Sequence, residues 1–431
     1  MNIKGVASVL LVFPMALSAQ QVWSYRQCVD YAKENNISLQ QARLSAESSR
    51  INLEAAQAQW QPSLAFSTTQ GYTNTPWAEG KAKNAYNSSY GLNAGWTVWN
   101  GGERTATIKQ REVQVKASEA SVEGQQTDLE QSILQVYVNL LYSREAIEIS
   151  IEAAKLSEAQ EKRALQLMQS GRMSKVDYAQ IAAQAEQDKY SVVNAKGNYA
   201  SQCTELKRLL ELGIDGYVEP QAVDWTRDEV IAPLPSLEES FSLALSIDNQ
   251  LKAASLQAEA AKIQERVAKS SGLPQISLNA GVGTAYYAPG SAFATQLKRG
   301  VNENIGLTVS VPIFDKKQTK TAVALAKVSS LDANLTKEAR ETTIGRDIES
   351  IYTDVQSAQA RYVAGEKQVE AASLSNDLVN ERFELGLVNP VELLTAHNAL
   401  TAAKRELTQA KYMTMLGKKK IEIYRTNTTT L

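Results

Sequence analysis

No stretch of this chain reaches the roughly 20 consecutive apolar residues that a membrane-spanning helix requires. The nearest approach, Val6–Leu17, follows Lys4 and precedes the small pair Ser18-Ala19, the pattern of a secretory signal over residues 1–19. The chain therefore leaves the cytoplasm without a helical anchor. Its first cysteine is Cys28, so no cysteine follows the cleavage site directly to carry a lipid. With only Cys28 and Cys203, a disulfide scaffold is excluded. A single bridge between the two is open in an oxidising compartment, and geometry decides it.

A net charge of −2 supplies no basic surface for nucleic acid. One histidine, His397, leaves no histidine cluster for a metal, and a lone histidine on a helix is more often a surface or core residue than a ligand. Gly281-Val-Gly283 is a fragment of a phosphate-loop pattern, but it lies within a strand and precedes no helix. No nucleophile, base and orienting group assemble from the sequence, so neither an enzyme nor a cofactor is expected. Proline is scarce and unevenly spread: none occurs between Pro76 and Pro220, nor between Pro312 and Pro390.

What is present is a repeat. Residues 28–66 align with 240–278 at an offset of 212, placing Ala42, Ala46, Ile51 and Pro62 on Ala254, Ala258, Ile263 and Pro274. The match resumes at an offset of 215, where Gly91-Leu92, Trp99-Asn100, Tyr137 and Gly171 fall on Gly306-Leu307, Phe314-Asp315, Tyr352 and Gly386. The three-residue change lies between Thr73 and Ser88, as a surface loop would allow. The first copy, 20–212, reads as a helix, strands over 62–73 and 88–99, a long helix over 102–170 and a return helix over 174–212. A Gly/Pro-rich linker with little regular structure, 213–236, leads to the second copy, 237–431. There a helix precedes strands over 274–286 and 303–314, a long helix over 317–385, a return helix over 390–420 and a C-terminal tail.

The proline-free segments are rich in good helix formers, with apolar residues at helical spacing in Leu129, Ile133, Val136, Leu140 and Leu141. At 1.5 Å per residue such a helix runs roughly 100 Å, which demands coiled-coil packing. Gly171 and Gly386 stand where left-handed caps are needed, and Ser174 and Asn389-Pro390 read as new starts, giving antiparallel hairpins.

The strands alternate. Ile305, Leu307, Val309, Val311 and Ile313 oppose Asn304, Gly306, Thr308 and Ser310, and Tyr90, Leu92, Ala94, Trp96 and Val98 oppose Ser89, Gly91, Asn93, Gly95 and Thr97. A soluble sheet covered on one side alternates in the same way. Three features point instead to a membrane barrel: strands of about 9–11 residues, aromatics such as Tyr72, Tyr90, Trp99 and Tyr286 near strand ends, and export without a spanning helix. Four strands cannot close a barrel, and membrane barrels begin at about eight, so spanning strands require oligomerisation. The fold class is mixed α and β: long helical hairpins forming an α-barrel, plus four strands per chain of a transmembrane β-barrel.

This layout resembles the TolC family of outer-membrane efflux channels over essentially the whole mature chain. The similarity is carried by Pro62, Pro274, Trp99-Asn100-Gly101-Gly102 and Val311-Pro312-Ile313-Phe314-Asp315. It is most specific at Gly386-Leu-Val-Asn-Pro-Val-Glu-Leu-Leu394, which is similar to the family's Gly-x(4)-Val-Asp-Val-Leu segment with Glu392 where Asp is usual. The first-copy equivalent is Gly171-Arg-Met-Ser-Lys-Val-Asp-Tyr178. The resemblance implies a homotrimer in the outer membrane of a Gram-negative cell, in contact with its lipid, with twelve strands, a twelve-helix periplasmic tunnel and an equatorial belt. It also implies docking onto a periplasmic adaptor (membrane fusion) protein and an inner-membrane transporter, for efflux or type I secretion. An exported periplasmic coiled-coil adaptor or scaffold is the alternative, separated from a channel by the aromatic-flanked strands.

In the family, an Asp near the end of the long helix narrows the periplasmic aperture. Asp377, nine residues before Gly386, matches that spacing, with Asn376 and Ser373 as neighbours. A ring of three carboxylates favours cations; the competing reading is a solvated helix face. The turns, Gly171, Arg172, Met173 and Gly386, Leu387, Val388, Asn389, are candidates for adaptor docking, although helix capping alone accounts for the glycines. Leu387, Val388 and Met173 are expected to be exposed. The copies differ where Asp377 faces Lys162 and Asp177 faces Glu392.

Overall fold

The computed structural model describes residues 22–77, 84–288, 290 and 292–431; the secretory leader expected over 1–19 lies outside them. The chain forms two compact units, and neither is a sequence repeat. One comprises the described residues up to Ile37, then Thr127–Leu243 and Asp347–Leu431; the other comprises Ser38–Gln126 and Ala244–Arg346. Each unit takes equivalent segments from both copies, so the duplication is interleaved in space.

The unit built on Ser38–Gln126 and Ala244–Arg346 holds a four-stranded antiparallel sheet ordered β2-β3-β5-β6. Its strands are β2 (Ser63–Asn74), β3 (Asn84–Asn100), β5 (Gln275–Ala288) and β6 (Asn302–Ser310). The helices that feed it are each preceded by a break that a single continuous helix would not have. Helix α1 (Tyr25–Asn35) gives way to α2 (Ile37–Ala58) at Asn36, which is extended. Likewise α6 (Leu237–Ile247) gives way to α7 (Asn249–Ser270) at Asp248, whose carboxylate accepts Leu251 N–H at 2.6 Å. Short polar side chains offer the backbone this alternative to helix. The long helices α3 (Glu103–Gln169) and α9 (Gln318–Glu384) each run 67 residues.

Cross-strand register sorts the sheet into two faces. One carries the rows Leu64–Ala94–Ala280–Ile305, Phe66–Leu92–Val282–Glu303 and Trp96–Leu278–Leu307. The other carries Ser63–Gly95–Asn279–Gly306, Ala65–Asn93–Gly281–Asn304 and Ser67–Gly91–Gly283–Asn302. The second face is small because it is crowded: a Cβ on Gly281 would lie 2.8 Å from Asn304 and 3.1 Å from Asn93. On the first face the apolar side chains are uncovered, with Ile305 78% exposed and Leu64 70% exposed.

Simple alternation fails at one point. The register shifts between Thr97, opposite Ser277, and Trp99, opposite Ile276, so Val98 is bulged out. The bulge puts Trp99 on the apolar face beside Trp96, the place that alternation had given to Val98. Its free carbonyls are taken by Arg104, a 4% exposed side chain that donates to Thr97 C=O at 2.8 Å, Val98 C=O at 3.2 Å and Gln59 C=O at 2.9 Å. The guanidinium stacks on Trp60, 3.6 Å from the ring centre.

The strand-to-helix corners are equivalent in the two copies but differently built. Asn100 Oδ1 accepts Arg104 N–H at 3.2 Å, and Asp315 Oδ2 accepts Thr319 N–H at 2.8 Å, each capping its long helix. Between cap and helix, Gly101 and Gly102 adopt φ of 67° and 80°. At the matching positions Lys316 and Lys317 adopt 52° and 66°, a left-handed conformation that costs a side-chain-bearing residue roughly 1–2 kcal/mol. Strand β6 stops at Ser310, short of the expected 314, because Pro312 cannot donate to a ladder. A helix that periodicity did not reveal, α8 (Phe293–Arg299), stands between β5 and β6.

The other unit is organised on an apolar core in which Cys28, Val29, Tyr137, Leu140, Leu206, Trp225 and Ile423 are buried. Its helices are α1, the matching parts of α3 and α9, α4 (Lys175–Leu210), α5 (Arg227–Ile231), α6 and α10 (Pro390–Thr426). The segment read as an irregular linker contains structure: β4 (Glu219–Pro220) pairs in parallel with β1 (Val22–Trp23), and α5 follows. Tyr137 O–H reaches the Trp23 and Gln221 carbonyls at 2.9 and 3.1 Å, locking the two-stranded sheet to α3. Lys418 Nζ donates to the carbonyls of Glu229, Val230 and Ala232, occupying the C-terminal end of α5; burial lowers its pKa. The C-terminal residues are tied inward, Thr429 N–H and Thr428 O–H each donating to buried Glu130 at 3.0 Å, with Lys33 paired to the same carboxylate.

Both cysteines are free, correcting the open possibility of a Cys28–Cys203 bridge. Burial pushes the Cys28 thiol up to about 12 and also raises that of Cys203. His397 is a core residue, 1% exposed, whose Nε2 lies 2.8 Å from Asp188 Oδ2 and so joins α10 to α4. Burial works to raise the Asp188 pKa, but hydrogen bonds from His397, Ser157 and Gln184 outweigh it and hold the carboxyl below the usual aspartate range.

A carboxyl held low contributes stability above its ordinary pKa near 4 and loses it as pH falls through the lowered value. In His397→Ala, this loss moves to higher pH, because burial then acts with one opposing bond fewer. Hydrogen exchange of segments 184–191 and 393–401 should show at least about fivefold weaker protection at neutral pH, on a cost of roughly 1–3 kcal/mol. Wild-type protection across the acid range in that variant would refute the assignment.

Candidate functional site: the helical turns and the face above them

The turns at the ends of α3 and α9 are built alike. Gly171 and Gly386 adopt φ of 73° and 76°. Around the first, Arg172 N–H bonds Leu167 C=O at 2.8 Å and Gly171 N–H bonds Met168 C=O at 3.0 Å; around the second, Leu387 and Gly386 repeat the pattern on Arg382 and Phe383 at 2.9 Å. This is the paired bonding of a Schellman cap. The return helices then start on Ser174, accepting Asp177 N–H at 3.1 Å, and on Asn389, accepting Glu392 N–H at 2.9 Å. Pro390 takes the first turn of α10.

Both turns lie over one small apolar core of Ala164, Leu167, Ile181, Val379, Phe383, Leu393 and Ala396, with Met173, Tyr178 and Val388 packed at its edge. The structure thus brings the two predicted docking turns together. It corrects their expected exposure: Met173 and Val388 are half-buried, while Leu387 is 64% exposed. Arg172 is engaged within the chain, its Nη2 donating to Leu385 C=O at 3.3 Å at the C-terminal end of α9. Arg163 forms an ion pair with Glu384 at 3.0 Å and also donates to the Glu384 carbonyl. Sequence reading missed three more exposed apolar side chains on these turns, Val176, Leu385 and Val391. The signal was available: each flanks a cap residue, where the apolar helical period runs out.

Two of the three aperture residues point apart. Asp377 is exposed, makes no ion pair or hydrogen bond among the described residues, and lies beside exposed Leu374 and Leu378. Asn376 is 3% exposed and turned into the helix packing, where its carbonyl accepts Asn380 Nδ2 at 2.8 Å. Ser373 is half-buried. A one-residue step along a helix turns a side chain through about a quarter of the circumference, so Asn376 and Asp377 point apart, while Ser373 stands four residues before Asp377 on its side of the helix. The first-copy counterpart of Asp377, Lys162, is paired with Glu158 at 3.0 Å, and Glu392 is paired with Arg382 at 3.0 Å.

Between these turns and the His397–Asp188 pair lies a buried polar layer in which Gln160 Nε2 donates to Asn380 Oδ1 at 2.7 Å. Gln160 Oε1, Asn376 Oδ1 and His397 Nδ1 find no partner there. The site therefore offers capping, charge and exposed apolar surface. Among the described residues no group of three or more His, Cys, Asp or Glu side chains is placed to hold a metal.

Comparison with known proteins agrees with this architecture. The family model for outer membrane efflux protein matches residues 28–211 and 241–415, one match in each copy. The outer membrane efflux protein BepC of Brucella suis biovar 1 is 19% identical over 381 residues, covering 88% of this chain and 80% of BepC. The alkaline protease secretion protein AprF of Pseudomonas aeruginosa is 22% identical over 302 residues, 69% of this chain and 61% of AprF. The crystal structure of CusC superposes with a TM-score of 0.81 at 18% identity, covering 93% of this chain and 91% of CusC. No helix among the described residues is long and apolar enough to cross a membrane. The chain belongs to the outer membrane efflux protein family, the TolC family of outer-membrane channels.

Proposed function

We propose that this chain is one third of a passive outer-membrane channel-tunnel. The tunnel exports small toxic compounds or proteins as part of a tripartite efflux or type I secretion system. The observation that carries this reading is the sheet. It has an apolar face left bare, a small polar face suited to a lumen, and unpaired outer edges on β2 and β6. In lipid an open edge costs several kcal/mol per unsatisfied group. Three copies supply twelve strands and close the barrel, whereas two supply only the bare minimum of eight. Family membership displaces the alternative of a periplasmic adaptor. The long hairpins occupy the periplasm, and their turns meet a periplasmic adaptor and, through it, an inner-membrane transporter.

Asp377 serves as the aperture residue in this reading. Its support is position and freedom: an unpaired carboxylate on an exposed helix face, one residue from the packed side chain of Asn376. Leu387, Leu385 and Val391 form the apolar part of the adaptor-docking turn, and capping explains Gly171, Gly386 and Asn389.

Detergent extraction followed by mass measurement should give a particle of three mature chains that fractionates with outer membranes. A water-soluble monomer of the mature chain would sink the channel reading. In planar bilayers, Asp377→Ala should raise single-channel conductance severalfold and weaken cation preference. Unchanged conductance together with unchanged selectivity removes Asp377 from the gate.

A further inference from the structure

Helix α8 belongs to the second copy and lies on one face of the sheet. Thr284 Oγ1 donates to Leu297 C=O at 2.7 Å, and the Tyr286 ring meets Phe293 edge-on with centroids 5.0 Å apart. Thr284 and Tyr286 continue the alternation of Ala280 and Val282, so the helix sits over the apolar face. It also replaces a missing strand. Beyond Gly283 strand β5 has no partner on its β6 side, and there the Gln296 amide accepts Tyr287 N–H at 3.0 Å and donates to Tyr287 C=O at 2.9 Å. With Phe293, Gln296 and Leu297 committed to the sheet, the rest of the helix turns outward.

Along the apolar face, side chains change character at this level. The rows of Leu, Val, Ile and Ala end at Phe66–Leu92–Val282, and the next rows are Thr68–Tyr90–Thr284, Gln70–Ser88–Tyr286 and Tyr72–Tyr86–Ala288. A tyrosine-bearing zone at the end of an apolar band is the chemistry of a membrane–water interface. Lys298 and Arg299 stand at the C-terminal end of α8, exposed, and neither has an ion-pair or hydrogen-bond partner among the described residues. Glu303, the nearest carboxylate in sequence, lies on the same face beside Val282 and pairs with neither.

We propose that α8 is a headgroup-level lipid site on the outer wall of the barrel, where Lys298 and Arg299 bind the phosphates of outer-membrane lipid over the Tyr86–Tyr286–Phe293 ring patch. The proposal rests on the membrane reading of the sheet given above. An exposed guanidinium and ammonium at the end of α8 supply the two kinds of phosphate ligand, Arg a planar fork and Lys a mobile charge. Each cation near an anionic lipid surface contributes about fivefold in affinity.

The test compares the detergent-purified oligomer with its Lys298→Gln/Arg299→Gln variant by native mass spectrometry. The probes are a bis-phosphorylated glucosamine lipid, the same lipid dephosphorylated, and inorganic phosphate. The wild type should retain the phosphorylated lipid on the order of thirtyfold better than the variant. The dephosphorylated lipid should bind both alike, and inorganic phosphate should not displace the lipid. Equal retention of the phosphorylated lipid by both proteins overturns the proposal, as does full displacement by free phosphate. Oligomer mass and bilayer conductance, measured on the same samples, should be unchanged in the variant, so failure of the channel reading registers separately from failure of the lipid site.

Discussion

The backbone N–H and C=O groups along the free edges of β2 and β6 are the constraint from which most of this structure follows. A sheet that ends in open edges is stable in water only if something discourages pairing, and in lipid it is not stable at all. Apart from Glu303 near the start of β6, the two edge strands carry no charge to discourage it. Strand β6 carries Ile305, Leu307 and Val309 on one face and Asn304, Gly306 and Thr308 on the other, an edge prepared for a neighbour. The sheet also carries its own devices for ending cleanly. Arg104 takes the carbonyls released by the Val98 bulge, and Gln296 stands in for a strand beside Tyr287. Pairing is left open along the two outermost strands, where other copies of the chain can complete it.

The duplicated unit was legible because its signals are periodic or punctual. Strand alternation, helical spacing over dozens of residues, and glycines at forced left-handed turns all survive in a single sequence. What escaped was decided by short-range polar chemistry. Asp248 interrupts a pattern that reads as one helix because its carboxylate takes the Leu251 N–H, and at the matching place in the first copy the Asn36 amide donates to Leu209 C=O. The Val98 bulge moved Trp99 to the face assigned to its neighbour, a slip that alternation cannot foresee. Helix α8 spans only seven residues, too few to establish a period.

The candidate site was legible to the level of the element and not of the face. Gly171 and Gly386 were placed by their backbone requirement, and the structure puts both turns over one core. Which side of a 67-residue helix faces its neighbours depends on packing, so Asn376 turned inward while Asp377 stayed out. The layer around Asn376 and Gln160 is imperfectly satisfied, and a buried layer of that kind is cheaper to rearrange than an apolar one. It lies next to the turns.

The two strand-to-helix corners record a one-way history. Lys316 and Lys317 hold the same left-handed backbone as Gly101 and Gly102, so the bend is imposed by the surrounding fold and not by the residues that occupy it. Exchange between the copies is nevertheless unequal. Glycine fits wherever those lysines stand, since their side chains are exposed. A side chain at Gly101 would begin 2.6 Å from Leu273 Cβ and 2.9 Å from Ser270 C=O. Substitution is free at both positions of the second corner but blocked by contact at Gly101 in the first, like a ratchet with one free direction. Once such a joint has diverged, the halves stop being interchangeable parts, and each can be tuned without carrying the other along.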